Sequence, residues 1–206
     1  MDNKERIIQE AKVLFMRLGI RSVSMDDIAS HLGMSKKTIY QLFADKDELV
    51  DNIIDADITQ LESDCITYCQ LSANAIDEIF RTMEMIGLQL RNMNPMVLFD
   101  LQKYHYRSYE KFMRHKNTFL LEIITKNLVK GVQEGLYRSD IKIEILARFR
   151  LESMMLAFNK ETFPADRFNM LEVTLEIIEH FLYGLATEKG YKLIIEYKKK
   201  ANNNGI

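Results

Sequence analysis

From Ser35 to Phe43 the chain reads Ser-Lys-Lys-Thr-Ile-Tyr-Gln-Leu-Phe, a run in which every polar side chain forms hydrogen bonds and none is an acid. On a helix turning about 100° per residue, with Ile39 set toward the core, Leu42 and Phe43 fall within about 60° of it. Lys37 and Gln41 then land about 160° away, and Thr38 and Tyr40 flank at about 100°. Lys36 lies closer to the core side but at the helix start, where a long side chain still reaches outward. This face has the chemistry of nucleic-acid recognition rather than catalysis. Lys37 suits guanine acceptors, Gln41 suits adenine, and Tyr40 and Thr38 suit phosphates. The first residues of such a helix are the ones that reach base edges. The candidate DNA-contacting set is therefore Ser24, Ser35, Lys36, Lys37, Thr38, Tyr40, Gln41 and Lys46, the last placed to meet a phosphate. The plain alternative is a three-helix packing module with a solvated polar face.

The elements that must hold this face are legible from helix punctuation. Ile7, Ile8, Ala11, Leu14, Phe15 and Leu18 repeat at helical spacing, and Gly19 ends that helix as a left-handed cap would. Ser24-Met25-Asp26-Asp27 is a capping box for a helix to about Leu32, which Gly33 stops. Ser35 caps the next, to about Leu42, so residues 24–43 form two short helices around a Gly-containing turn, the helix-turn-helix arrangement. Ile28, Leu32, Met34, Ile39 and Phe43 are expected to close a core with Ile8, Ala11 and Phe15, with Ala29 small where the helices approach. Asp45 caps a long helix carrying Leu49, Ile53, Ala56 and Leu61.

Further helices are expected from Asn74 to Arg91, from Asn94-Pro95 to Glu134 with a break near 105–108, from Asp140 to Asn159, and from Asp166 to Thr187. Gly190 is expected to separate a last short helix, and Lys198-Lys199-Lys200 with the asparagines after it reads as a frayed tail. Two Pro and eight Gly in 206 residues fit long helices and not a turn-rich β fold. The fold class is all-α: a three-helix head at 1–48, and a larger helical bundle at 49–206 for ligand binding and dimerisation.

Other chemistries find no foothold. No His has Glu three residues before it, as a di-iron bundle requires, and His-Glu-x-x-His, Gly-x-Gly-x-x-Gly and P-loop patterns are absent. No enzyme, metal or cofactor is expected. Cys65 and Cys69 are one helical turn apart, too far for a disulfide without distortion, and read as reduced thiols. The longest apolar run, Met154–Phe158, is far too short to cross a bilayer, and Met1-Asp2-Asn3 starts no export signal, so a cytoplasmic protein without membrane attachment is expected. The total of 28 basic against 30 acidic residues discourages DNA at first count, but it averages unlike regions. Residues 1–48 balance eight against eight, and residues 28–44 carry two lysines and no acid, which fits modest non-specific binding with a shallow salt slope.

The motif text Ser24-x-x-Asp27-Ile28-Ala29, Leu32-Gly33-Met34-Ser35-x-x-Thr38-Ile39-Tyr40-x-x-Phe43 and Lys46-Asp47-x-Leu49 resembles the TetR family of bacterial transcriptional regulators. Lys37 departs from the small residue frequent there. Beyond residue 50 the resemblance is architectural, with Glu134-Gly135-Leu136-Tyr137-Arg138 before Asp140 as a recurring join. The resemblance implies a homodimeric repressor on a double-stranded, pseudo-palindromic operator, released by a small-molecule effector. A regulator-like protein that has lost DNA binding is disfavoured by the intact outward face.

Met83, Phe99, Tyr104, His105, Tyr109, Met113, Met154 and Phe158 are the candidate lining of a pocket for an apolar or amphipathic effector, because methionine and aromatic side chains make adaptable walls. His105 and Arg107 are polar groups within that lining. Ordinary core filling is the plain alternative. Leu151, Met155, Leu171, Leu175, Ile178 and Leu182, with Met154 and Phe158, are candidates for a four-helix dimer interface, unless these stripes face the domain's own core.

Overall fold

In the computed structural model, which describes residues 2–203, helix starts follow local side-chain caps wherever the capping residue has no other duty. Helix α1 (Asn3–Leu18) opens on a capping box of Asp2 and Glu5. Helix α2 (Met25–Leu32) opens on the Ser24–Asp27 box, and α3 (Lys36–Leu42) on Ser35. Helix α4 (Lys46–Leu71) begins where the Asp45 carboxylate accepts from the Glu48 N–H at 2.8 Å. Helix α5 (Ala75–Leu90) begins at Asn74, whose side chain accepts from Ile76 and Asp77. Then come α6 (Val97–Tyr104) and α7 (Tyr106–His115), a π-helical turn at Lys116–Leu120, and α8 (Leu121–Gln133). Helix α9 (Ile143–Ser153), a 3-10 turn at Leu156–Phe158, α10 (Met170–Leu185) and α11 (Glu188–Asn203) complete the order. No named strand occurs among the described residues, and none of their helices is long and apolar enough to cross a membrane.

Several expected boundaries move, those at Asn94 and Asp140 because the capping group is engaged elsewhere. The Asn94 N–H donates to the Met16 carbonyl at 2.6 Å and its side chain accepts from Met96, so Asn94-Pro95 form a turn and α6 starts at Val97. Asp140 pairs with Arg138 at 3.2 Å instead of capping, and α9 starts at Ile143 and ends at Ser153, short of Asn159. Asp166 lies in the turn after Pro164, and Asn169 caps α10. The break near 105–108 is a single residue, His105. Gly19 has positive φ (88°) with extended ψ (148°), so it is not a left-handed cap. Gly190 lies inside α11, not at a separator: a Cβ there would sit 2.2 Å from the Leu136 carbonyl oxygen. Residues 198–203 continue α11, so the expected frayed tail is helical as far as it is described.

Packing divides the chain into two units: one runs to Leu61 and takes in Asn92–His115, the other holds Glu62–Arg91 and the chain from Lys116 onward. The cut expected at residue 48 is a division of role and is taken up below; packing divides the chain otherwise, because α6 and α7 contribute to the head. The first unit's core joins Ile7, Ala11 and Phe15 of α1 to Ile28, Leu32, Ile39, Phe43, Leu49 and Ile53, closed by Val97 and Leu101 of α6. Ile7 takes the fully buried place expected for Ile8, and Met34 is half-buried against the cluster. Each such aliphatic or aromatic side chain contributes about 1.5–3 kcal/mol by leaving water. The second core gathers Ile76, Leu128, Leu136, Tyr137, Ala147, Phe181, Leu182, Leu185 and Ile194. Tyr137, almost fully buried there, donates its hydroxyl to Asn127 at 3.1 Å, and burial, with Glu78 and Glu134 adding to it, holds its pKa well up.

Candidate nucleic-acid interface

The reading helix is set by three local devices. Gly33 ends α2 in the left-handed conformation (φ 64°, ψ 28°), which a side-chain-bearing residue adopts at a cost, and so turns the chain sharply toward α3. The Ser35 hydroxyl accepts from the Thr38 N–H at 3.1 Å and lies 2.8 Å from the Thr38 hydroxyl. Ile39, with no exposed surface, anchors the inner face of α3 to the core. Lys36, Lys37, Tyr40 and Gln41 are consequently exposed and Thr38 is half-buried. Ser24 is exposed at the start of α2, and its hydroxyl accepts from the Asp27 N–H.

Two of the expected contacts carry local partners that sequence spacing did not reveal. Asp26 of α2 accepts from the Lys36 ammonium at 2.5 Å, and this hydrogen bond raises the Lys36 pKa. Although α3 itself is free of acids, one of its two lysines is thus neutralised by a neighbouring helix. Lys46 donates to the Ile20 carbonyl at 2.5 Å, and its ammonium lies 5.5 Å from the centroid of the Phe15 ring. Burial lowers its pKa, opposed by Asp100, Asp47 and Asp27. Its ammonium ties the start of α4 to the loop after α1, a duty that competes with a phosphate contact.

The start of α4 carries a second constellation. Asp47, Asp51 and Asp55, one turn apart, face α7. His105, buried, shares a hydrogen bond with Asp47. Ser108 and Lys111 donate to Asp51 at 3.1 and 2.8 Å, Arg107 lies 3.6 Å from it, and Lys111 reaches Asp55 at 2.7 Å. Burial alone would raise the Asp51 carboxyl; the bonds from Lys111 and Ser108 outweigh it and hold its pKa below the usual range.

The residues of the expected effector lining are divided between the two units. Phe99, Tyr104, His105, Tyr109 and Met113 belong to the first unit, whereas Met83, Met154 and Phe158 belong to the second. Within the first unit, His105 is taken by Asp47 and Tyr109 packs on the head's core. Phe99 and Tyr104 are exposed, with the Lys103 ammonium 5.4 Å from each ring and the Arg21 guanidinium 5.3 Å from the Tyr104 ring. Of the aromatic stretch 104–109 it is Tyr109 that packs on the head's core, while Tyr104 and Tyr106 are exposed, a pattern that composition cannot separate from a pocket wall.

The dimer stripe also needs correction. Leu151, Ile178 and Leu182 are buried within their own chain and have no surface left for a partner, while Met155, Leu171 and Leu175 are half-buried. The exposed apolar residues at this end of the chain include Ile145 (60%) and Phe149 (55%), one turn apart on α9, and Leu156 beyond them, with Phe168 and Tyr191 further along.

Comparison with known proteins agrees with the head's geometry. Residues 7–53 match the family described as bacterial regulatory proteins, tetR family. The chain is 29% identical to YvaF, an uncharacterized HTH-type transcriptional regulator of Bacillus subtilis, over 90% of this chain and 96% of that one. It is 23% identical to the HTH-type transcriptional repressor KstR2 of Rhodococcus jostii, over 75% and 77% of the two chains. The crystal structure of a transcriptional regulator from Saccharomonospora viridis in complex with choline shares the fold, with a TM-score of 0.72 at 16% identity over 90% and 98% of the chains. The helix-turn-helix head of this chain, residues 7–53, is thus that of the tetR family of bacterial regulatory proteins, and the chain as a whole is similar to HTH-type transcriptional regulators.

Proposed function

We propose that the protein is a homodimeric repressor that reads a two-fold-symmetric operator through α3 and leaves it when a small molecule binds the second unit. The observation that carries this reading is α3 itself: a capped, core-anchored helix that presents Lys37, Tyr40 and Gln41 together to solvent. Lys36, Thr38 and the caps Ser24 and Ser35 complete the reading head, and Lys46 joins it only if it releases Ile20. Two such helices reach successive major grooves if the dimer spaces them about 34–36 Å apart.

The role boundary at residue 48 falls at the start of α4, the helix within which packing passes from the first unit to the second after Leu61. Effector binding in 49–206 shifts α4, and with it the spacing of the two heads, so that both half-sites can no longer be held together. The ligand complex of the Saccharomonospora relative supports a small-molecule role for this fold, and Met83, Met154 and Phe158 remain the effector-side candidates of the second unit. For the dimer, Ile145, Phe149 and Leu156, flanked by Met155, Leu171 and Leu175, are the apolar groups with surface to bury against a second copy.

The test is a gel-shift titration against the DNA upstream of its own gene and its neighbours, with stoichiometry read by light scattering. The reading expects two chains per site and saturable binding that survives competitor DNA. One chain per site, or binding no tighter than to competitor, contradicts it.

A further inference from the structure

Arg150 on α9 keeps only 6% of its surface. Its one side-chain partner among the described residues is the Ser153 hydroxyl, 3.3 Å away, and that hydroxyl itself donates to the Arg150 carbonyl at 2.7 Å. A hydroxyl accepts one hydrogen bond here and neutralises nothing, whereas a guanidinium carries five N–H donors in a planar fork. No carboxylate among the described residues lies within ion-pair distance of Arg150. Lys116, Lys130 and Arg81 of the same unit, by contrast, meet Glu152, Glu78 and Asp77 at 2.8, 3.3 and 3.1 Å. Glu152 cannot serve Arg150 as well: two residues on, it projects about 160° away around the helix and holds Lys116. Burial alone pulls the Arg150 pKa down, to about 10, with no neighbouring charge opposing it. The guanidinium is therefore charged at neutral pH, largely desolvated and without a carboxylate, and a charge in that state is costly unless something pairs with it.

Its neighbours one turn away on α9 are Leu146, Ala147, Ser153 and Met154, and α9 then gives way to the apolar turn Leu156–Phe158. Met154 and Phe158 are half-buried and adaptable.

We propose that Arg150 is the anchor for the acidic group of the effector: a carboxylate or phosphate carrying an apolar body, bound by the free donors of the guanidinium beside Met154 and Phe158. A planar fork meeting a planar or tetrahedral oxyanion gives paired, charge-assisted hydrogen bonds and fixes the ligand's polar end. This inference rests on the effector-responsive reading above and sharpens it from an apolar or amphipathic ligand to an acidic one.

The experiment uses the full chain and four ten-carbon probes below their micelle concentrations: decanoate, decyl phosphate, decanol and decyltrimethylammonium. Calorimetric titration and thermal melting are run on the wild type, Arg150→Met and Arg150→Lys. Decanoate or decyl phosphate is expected to bind and raise the wild-type melting temperature, and the tighter of the two identifies the oxyanion. Decanol and the ammonium probe are expected to bind far more weakly. Arg150→Met should weaken binding of the acid by roughly 10- to 100-fold, as loss of a hydrogen bond to a charged group does, and Arg150→Lys should restore part of it. Without probe, Arg150→Met should melt no lower than the wild type, because an unpaired buried charge has been removed; an arginine with a purely structural role predicts a lower melting temperature. Failure of both acids to bind at millimolar concentration overturns the proposal. So does equal binding of decanol or the ammonium probe, or undiminished acid binding by Arg150→Met. These titrations contain no DNA, so they stand or fall separately from operator binding by the ligand-free wild type, whose failure would sink the repressor reading alone.

Discussion

Lys36 and Lys37 are adjacent on α3, yet only Lys36 has a carboxylate against its ammonium, that of Asp26. Their replacement by alanine should therefore differ. Lys37→Ala should weaken DNA binding and lower its salt dependence by about one phosphate's worth. Lys36→Ala should do less, and Asp26→Asn should strengthen non-specific binding by freeing the Lys36 charge. Equal salt slopes for the two alanine variants would contradict this assignment. The two thiols make a separate case at the same scale. Burial, with Asp64 and Glu78 adding to it, pushes Cys65 up to about 11, and burial with Glu78 pushes Cys69 up to about 12. At pH 8 roughly one in 1,000 of the Cys65 groups is thiolate, so both should alkylate far more slowly in the native protein than in urea. Rapid native modification would contradict this. Caps such as Ser24, Ser35 and Asn74 were legible in the sequence because each acts within two or three residues of itself. The Asp26–Lys36 pair and the unanswered Arg150 were not, since their meaning depends on which chain segments fold beside them.

Among the elements, α4 and α7 form the tightest polar joint of the head, through Asp47, Asp51 and Asp55 on one side and His105, Ser108 and Lys111 on the other. The Asp51 carboxyl titrates lower in the folded than in the unfolded state, so its contribution to stability is complete above about pH 4, the unfolded value, and is lost as the pH falls through the folded one. Asp51→Asn should therefore lower thermal stability at pH 7 and flatten its acid dependence, while an unchanged acid limb would contradict the sign. This joint was invisible to periodicity: the aromatic spacing from Tyr104 to Tyr109 reads equally well as a pocket wall or as packing. The starts of α6 and α9 were misplaced for a related reason. Asn94 and Asp140 have the composition of caps but are held by the Met16 carbonyl and by Arg138. Gly190 is the clearest tertiary override, a glycine kept inside a helix by the closeness of the Leu136 carbonyl. Gly190→Ala should destabilise the second unit even though alanine is the better helix former.

For the molecule as a whole, a near-neutral head needs two copies to hold DNA firmly, so dimerisation carries much of the proposed affinity. Ile145→Glu places a charge on the exposed apolar row of α9. It should yield monomers by light scattering and lose most operator affinity, whereas a dimer that persists would move the interface elsewhere. The fold class and the family were readable from the head's motif because that motif is dense in local signals. The dimer face was not, because each long helix near the C-terminus carries apolar residues on more than one side, and only packing decides which side is already taken. The most direct test of the central claim, that α3 reads DNA bases, is a selection from randomised duplexes with the wild type and Gln41→Ala. The account predicts a two-fold-symmetric preferred site, with Gln41→Ala losing discrimination at one position in each half by about 1–3 kcal/mol while other positions hold. An identical base profile for the two proteins, or no preferred site for the wild type, would contradict it.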